Sequence, residues 1–147
     1  MRKKVAAILL LVFLGAFFGA YGLSNTFISI ASSGRIVTIG VEVYEDADLT
    51  LALLEIDWGE LEPGDIGSKS FWAYNNGSVP ITLSFNTSSW LPTNAEAYLD
   101  LTWNYAAGAV IGPSESLKLT FSLYVHPDIS GIVDFSFIIT IVGTKGR

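Results

Sequence analysis

Residues 117–125 read Leu-Lys-Leu-Thr-Phe-Ser-Leu-Tyr-Val, with an apolar side chain at every odd-numbered position. Successive side chains of a β-strand point to opposite faces, so this alternation predicts a half-buried strand. Phe121 should lie mid-strand in the core, and Tyr124 should face outward. The same alternation in residues 133–141 predicts a second strand, whose inward face is made by Val133, Phe135, Phe137, Ile139 and Ile141.

Shorter stretches of the same kind come before this pair. Residues 35–44 predict a strand with Val37, Ile39, Val41 and Val43 on one face, and further strands are predicted at residues 49–58, 68–74, 81–85 and 98–105. The segments between them are rich in Gly, Pro and Asn and are predicted as loops at residues 60–67, 75–78 and 106–114, with a crossing loop or short helical turn at 87–97. In the first loop, Pro63-Gly64 suits the central positions of a type II turn.

The spacing of these strands predicts an all-β protein. We expect a single immunoglobulin-like or jelly-roll-type β-sandwich of about seven to nine strands over residues 24–147, preceded by a hydrophobic signal or anchor helix over residues 1–23. No convincing amphipathic helix follows residue 24. Because the chain has no cysteine, the Cys-Trp-Cys signature of antibody domains is absent, and "immunoglobulin-like" refers to architecture only.

The N-terminal segment predicts export. Residues 5–23 form an uncharged apolar run that directly follows Arg2, Lys3 and Lys4. A basic start followed by such a run is typical of a signal peptide or a signal anchor, and the basic end should stay cytoplasmic. The rest of the chain is then expected outside the cell or at its surface.

Two main fates of this segment stay open. Ala20-Tyr21-Gly22 is a small-x-small triplet, so a signal peptidase could cleave after Gly22. Retention would leave residues 5–23 as a membrane anchor, since the run is long enough to span a bilayer core. A third alternative is prepilin processing before the apolar run, which usually leaves Gly or Ala after a charge, whereas here Val5 follows Lys4.

Composition limits the remaining function classes. Removing residues 1–22 leaves 125 residues, with five Lys and Arg against 14 Asp and Glu, a net charge of −9. This acidic balance argues against nucleic acid and anionic lipid as partners. The absence of cysteine excludes thiolate metal sites and means that the exported domain is held by packing alone.

No pattern predicts catalysis. His126 is the single histidine, and Ser122 and Asp128 lie near it in sequence, but no Gly-x-Ser-x-Gly motif accompanies them. Glu55 and Asp57 share a strand face, although glycosidase carboxylates usually come from different elements around a cleft. We therefore expect no enzyme, no catalytic residue and no cofactor, and the sequence identifies no small-molecule substrate.

Three patterns remain as candidate binding or modification sites. The acidic turn of Glu42, Glu45, Asp46 and Asp48 could bind calcium, with a plain turn as the alternative. Four tryptophans and two tyrosines could form a sugar-stacking platform, or could be core residues: Trp58, Trp72, Trp90, Trp103, Tyr74 and Tyr105. Asn76 and Asn86 begin Asn-x-Ser sequons, both expected at strand ends or in loops.

Three stretches carry a resemblance: residues 56–64 (IDWGELEPG), 75–83 (NNGSVPITL) and 131–137 (GIVDFSF). Over most of residues 24–143 the chain resembles small secreted β-sandwich proteins of archaea. It is similar in plan to the subunits of archaeal threads and bundling pili, and more distantly to TasA-type fibre proteins. The resemblance implies that an N-terminal strand of one subunit completes the sandwich of the next. The matching residues here are Thr26, Phe27, Ile28, Ser29, Ile30 and Ala31.

Two function hypotheses follow. The first is an exported structural protein that self-associates, with residues 26–31 as the donor strand and Ser32-Ser33-Gly34 as a break and hinge behind it. The second is a membrane-anchored surface module that recognises carbohydrate or protein through its loops.

Overall fold

The computed structural model describes residues 29–146. Over this range the chain forms eight β-strands and one short 3₁₀ helix, Thr93–Ala97. The strands are β1 (Ile30–Ile39), β2 (Glu42–Tyr44), β3 (Glu55–Leu61), β4 (Ile66–Tyr74), β5 (Ile81–Leu91), β6 (Leu99–Trp103), β7 (Ser116–Val125) and β8 (Asp134–Lys145).

The strands form two packed four-stranded sheets. Sheet A has the order β3-β1-β8-β5, and sheet B has the order β2-β4-β7-β6. β1 runs parallel to β8, whereas the other strand pairs are antiparallel. The predicted all-β sandwich is therefore confirmed over the described residues. The predicted hydrophobic helix at residues 1–23 lies outside them.

Aromatic side chains fill the space between the sheets. Phe71 of β4 stacks on Phe121 of β7 with ring centroids 4.8 Å apart, and Trp90 stacks on Phe137 at 4.1 Å. Phe121 and Phe137 are buried at the centre of this core, as the alternation predicted. Val133 was predicted on the same face, but it precedes β8 and is 65% exposed.

Trp58 links the two sheets. A Cβ atom on Gly34 of β1 would lie 3.3 Å from its Nε1 atom, and a Cβ on Gly67 of β4 would lie 3.3 Å from its Cε3 atom. Its buried indole N–H has no hydrogen-bond partner within residues 29–146. The indole therefore fills space that two glycines leave open, which is a common reason for glycine inside a strand.

This packing corrects two predictions about β1. Ser32-Ser33-Gly34 does not interrupt the strand, because Ser32 Oγ donates to the Gly59 carbonyl at 3.1 Å and a register shift against β3 falls between Ser32 and Ser33. The predicted facing is also wrong at two positions, since Ile36 is buried while Val37 and Ile39 are exposed.

The predicted strand at 35–44 is in fact two strands. β1 ends at Ile39, and the chain turns at Gly40, whose φ is +69°, to enter sheet B as β2. From residue 41 onward the predicted facing is correct, because Val41 and Val43 are buried.

The other boundaries differ mainly around residues 49–61. Residues 49–54 form a loop whose Leu53 is buried, and β3 runs only from Glu55 to Leu61. The predicted Pro63-Gly64 turn is present, because the Asp65 N–H donates to the Glu62 carbonyl at 2.9 Å and Gly64 has a φ of +93°. β5 extends to Leu91, through half of the predicted crossing loop.

Candidate functional site

The first candidate site is the N-terminal strand. Of its predicted donor residues, Ser29 is exposed, Ile30 is fully buried, and the Ala31 N–H donates to the Val133 carbonyl at 3.1 Å. Ile30 and Ala31 thus belong to β1 of their own domain in this conformation. Thr26, Phe27 and Ile28 lie outside the described residues, as do Ala20 and Gly22 of the predicted cleavage site.

β1 fills a slot between β3 and β8 in the middle of sheet A. It continues into the rest of the domain only at its C-terminal end, through Gly40. There two backbone segments of the chain approach closely, since a Cβ atom on Gly143 would lie 2.8 Å from the Gly40 carbonyl oxygen. The connection is therefore a tight glycine crossing next to β8, and the predicted hinge at Ser32-Ser33-Gly34 is instead part of the strand.

A second candidate lies on the outer face of sheet B. Strand pairing places Tyr44 opposite Trp72, and Glu42 opposite Tyr74. The Tyr44 and Tyr74 rings meet edge to face with centroids 6.5 Å apart, and all three aromatic side chains are half-buried. We call Tyr44, Trp72 and Tyr74 the outer aromatic cluster.

Hydrogen bonds orient this cluster. Tyr44 Oη donates to Glu42 Oε2 at 2.7 Å, and Asn76 Nδ2 donates to Glu42 Oε1 at 2.7 Å. The hydrogen bond to Glu42 is the main reason that the pKa of Tyr44 is raised from its ordinary value of 10.0, because ionisation would lose this bond beside a carboxylate. The site thus offers aromatic edges and faces beside a fixed carboxylate, which suits a hydroxyl-rich ligand.

The six aromatic residues predicted as a platform do not form one. Trp58 and Trp90 are buried, while Trp103 and Tyr105 pack from the inside against the core. Only Trp72 and Tyr74 lie on the outer face of sheet B. Tyr44, which joins them, was missed because its neighbours come from β4, and no periodicity within residues 42–44 indicates that pairing.

A third candidate is the side of the sandwich between β5 and β6, which are sheet edges. A groove of about 460 Å³ lies here, lined by Phe85, Asn86, Thr87, Trp90, Glu96, Leu99, Asp100, Leu101 and Thr102. The start of β5 is covered, because the Leu83 N–H donates to Tyr105 Oη at 3.0 Å and Ile81 pairs with Ile111. Beyond Leu83 no described strand pairs with this edge.

The histidine does not form the considered triad. His126 Nε2 lies 2.7 Å from Asp100 Oδ2, and its Nδ1 lies 3.9 Å from Asp128 Oδ1. Ser122 is four residues away along β7, which is about 13 Å in an extended strand. Asp100 comes from the neighbouring strand β6, so its contact with His126 could not be predicted from local sequence.

The remaining acidic candidates are divided between strands and a turn: Glu55 and Asp57 lie on the exposed face of β3, and half-buried Asp46 lies in the turn after β2. Asp57 Oδ1 accepts the N–H of Gly59 at 2.8 Å, and Asp46 accepts hydrogen bonds from the Thr50 hydroxyl and the Leu51 N–H at 2.6 and 2.8 Å. The Thr50 hydroxyl and then the Leu51 N–H lower the pKa of Asp46 below its ordinary value of 3.8. Within residues 29–146, no group of three or more His, Asp or Glu side chains is arranged to hold a metal ion.

The two sequons lie in different surroundings. Asn76 is in the turn after β4, where its amide already bonds Glu42, as expected of a turn residue. Asn86 is exposed in the middle of β5, opposite Thr140 of β8, and not at a strand end as predicted.

No known family model matches this chain, and no curated protein is detectably similar to it in sequence. In the described part of the chain, no helix is both long enough and apolar enough to cross a membrane.

Proposed function

We propose that this protein is an exported, non-enzymatic structural protein of the cell surface, built on an immunoglobulin-like sandwich, which assembles into filaments by exchanging its N-terminal strand. The observation that carries the proposal is the position of β1. It is the first described strand, it occupies a central slot between β3 and β8, and one short connection at Gly40 joins it to the remaining strands.

Exchange of such a strand conserves the contacts of the folded domain. A β1 from a neighbouring subunit would meet the same two strands and bury the same Ile30 and Ile36, so exchange changes the connection and not the core. Head-to-tail exchange leaves one donor strand and one acceptor slot unused at the two ends, and therefore propagates as a fibre.

The fate of the N-terminal segment selects between the two functions. Cleavage after Gly22 leaves β1 with a short free extension, which can enter a neighbour's slot. Retention of residues 5–23 ties β1 to the membrane and favours the anchored surface module. Identification of the mature N-terminus of protein isolated from its host therefore tests which function applies.

A disulfide lock tests exchange directly. Arg35 on β1 and Glu55 on β3 are exposed antiparallel partners, so Arg35→Cys with Glu55→Cys can form a cross-strand disulfide. If strands exchange, oxidation of assembled protein gives covalent ladders on a non-reducing gel, while oxidation of monomers before assembly blocks fibres until a reductant is added. Strand exchange would be excluded if assembled samples contained intramolecular disulfides and no intermolecular ones. It would also be excluded if the wild-type chain stayed monomeric at high concentration.

This lock is a cleaner test than charge substitution. Ile30→Asp would bury a carboxylate in the protein's own core, because Ile30 is fully buried, and would unfold the domain whether or not strands exchange. The single variants Arg35→Cys and Glu55→Cys serve as controls, since each carries one thiol and cannot close the lock.

The second candidate function is carbohydrate recognition by a membrane-anchored module, and the outer aromatic cluster favours it. Trp72→Ala should abolish binding to glycans in an array or by calorimetry. Tyr124→Ala, on the same face of sheet B but beside His126, is the matched control and should leave binding unchanged. Equal binding by both variants would exclude the cluster as the ligand site.

A further inference from the structure

The outer face of sheet A carries an unusual combination of side chains. Strand pairing places Val37 opposite Thr140, and Ile39 opposite Val142, while Arg35 lies opposite Ile138. We call Val37, Ile39, Ile138 and Val142 the aliphatic strip. Val37 is 38% exposed and Ile39 is 56% exposed, so the strip contacts solvent in the described domain.

The strip has few charges to protect it. Arg35 on β1 and its partner Glu55 on β3 lie at one end, and the β5 residues on this face are serine, threonine and asparagine. A weakly charged β-surface with exposed aliphatic side chains favours association with other chains. Something that covers the strip would therefore help an exported protein to stay dispersed.

Asn86 lies beside the strip. β5 pairs with β8 so that Asn86 is opposite Thr140, which in turn is opposite Val37. Asn86 and Val37 are thus two strand spacings apart, about 10 Å, on one face of the sheet. Both ends of the sequon, Asn86 and Ser88, are exposed, while Thr87 between them points inward and accepts a hydrogen bond from Trp90 Nε1 at 3.3 Å.

We propose that Asn86 carries an N-linked glycan and that its first sugars lie over the aliphatic strip. This inference rests on the proposed export, which exposes the chain to the glycosylation machinery. The donor is a lipid-linked oligosaccharide. The amide Nδ2 forms a bond to the anomeric carbon and loses one proton, the bond from that carbon to the phosphate oxygen breaks, and the lipid phosphate leaves.

A glycan on the second sequon, at Asn76, would disturb contacts of the folded domain. Asn76 Nδ2 donates to Glu42 Oε1 at 2.7 Å, and the same turn is held by the Gly77 N–H, which donates to Asn75 Oδ1 at 2.9 Å. A glycan added there must be accommodated in this hydrogen-bonded turn when the chain folds. The amide of Asn86 bonds no other group in the described part of the chain, so a glycan on it displaces nothing.

The test uses the full chain, expressed with its own N-terminal segment in a host that exports proteins and glycosylates Asn-x-Ser sequons. Intact mass spectrometry of the exported wild type should show one glycan, and peptide mapping should place it on Asn86. Asn86→Gln and Ser88→Ala should each remove that mass, because each breaks the sequon at a different residue. Asn76→Gln should leave the mass of the glycan unchanged.

Coverage of the strip is tested by the hydrodynamic size of the same variants. Asn86→Gln and Ser88→Ala should associate below the concentration at which the wild type begins to form strand-exchange fibres, and Val37→Thr with Ile39→Thr in the Asn86→Gln background should raise that threshold back to the wild-type value. A glycan on Asn76 instead, or exported protein without any glycan, would overturn the modification. Glycan on Asn86 with no change in association when it is removed would overturn its covering role.

Failure of export gives a separate result. Wild-type chain recovered only from the cytosol, unglycosylated and inaccessible to added protease, would overturn both this inference and the proposed function. Exported chain that lacks glycan on Asn86 would overturn this inference alone.

Discussion

β1 and β7 are both ten residues long and both lie inside their sheets, but they differ in which of their residues are buried. β7 buries a large apolar side chain at alternate positions from Leu119 to Val125. β1 buries Ser32 and Gly34 on its inward face, while Val37 and Ile39 face outward.

The difference comes from a neighbouring strand. The space in front of the middle of β1 is filled by Trp58 of β3, so the inward positions of β1 there must be small. β7 instead supplies large core side chains of its own, and its Phe121 packs against Phe71 and Phe85. Hydrophobic alternation therefore predicts which side chains point inward where a strand's own side chains fill the core. It fails where a side chain of another strand fills the space in front of the strand.

Truncation in β7 should have the largest effect. Phe121→Ala removes a fully buried ring that stacks on Phe71 and should lower the free energy of unfolding by about 3–5 kcal/mol. Tyr124→Ala, three residues later and on the outer face, should change it by only about 0.5 kcal/mol. Chemical denaturation of the two variants measures both values, and similar losses would show that the facing of β7 is wrong.

Facing in β1 can be tested in the same way. Ile36→Ala should cost about 2–5 kcal/mol because Ile36 is 6% exposed, whereas Ile39→Ala should cost about 0.5 kcal/mol because Ile39 is 56% exposed. The reverse order in thermal or denaturant melts would restore the facing that the sequence pattern predicts and would contradict the described core.

The contact between Gly34 and Trp58 can be tested separately. Gly34→Val adds a branched side chain where even a Cβ would lie 3.3 Å from Trp58 Nε1, so we expect a loss of about 1–3 kcal/mol from overpacking. Ser33→Val is the control, since Ser33 faces outward beside Asp57. Equal stability of the two variants would mean that Gly34 is not required by the indole.

The smallest effect is expected at the acidic turn, outside both strands. The lowered pKa of Asp46 means that its ionised form stabilises the folded state; this contribution is complete above pH 3.8 and is lost as the pH falls through the lowered value. Asp46→Asn should therefore lower the melting temperature at neutral pH, with a difference that shrinks below pH 3.8. Asp48→Asn, at an exposed position of the same turn, is the control and should leave the melting temperature at neutral pH nearly unchanged.

The sequence predicted most of what depends on local pattern. β6, β7, β8 and the Pro63-Gly64 turn were found because each shows period-two alternation or a turn-forming pair. The leucines around residue 51 were misjudged, because only Leu53 is buried and the run carries no signal of where a strand begins.

The candidate sites were predicted less well, because each is assembled from several strands. The contact of Asp100 with His126, the addition of Tyr44 to Trp72 and the row from Asn86 to Val37 all depend on strand register. Register across two sheets is set by long-range pairing that a single sequence does not display. Individual residues could be identified as candidates from the sequence, but the residues that contact them from other strands could not.

The parallel pairing of β1 with β8 also determines when the domain can finish folding. Gly34 pairs with Phe137, roughly a hundred residues later, and closing so long a loop early in folding is entropically unfavourable. Among the described strands, β1 is synthesised first and can pair with β3 soon afterwards. Its pairing with β8 is possible only after almost the whole domain has been synthesised. For that interval one side of β1 has no partner, so newly made chains at high local concentration have a period in which pairing between molecules competes with completion of their own sheet.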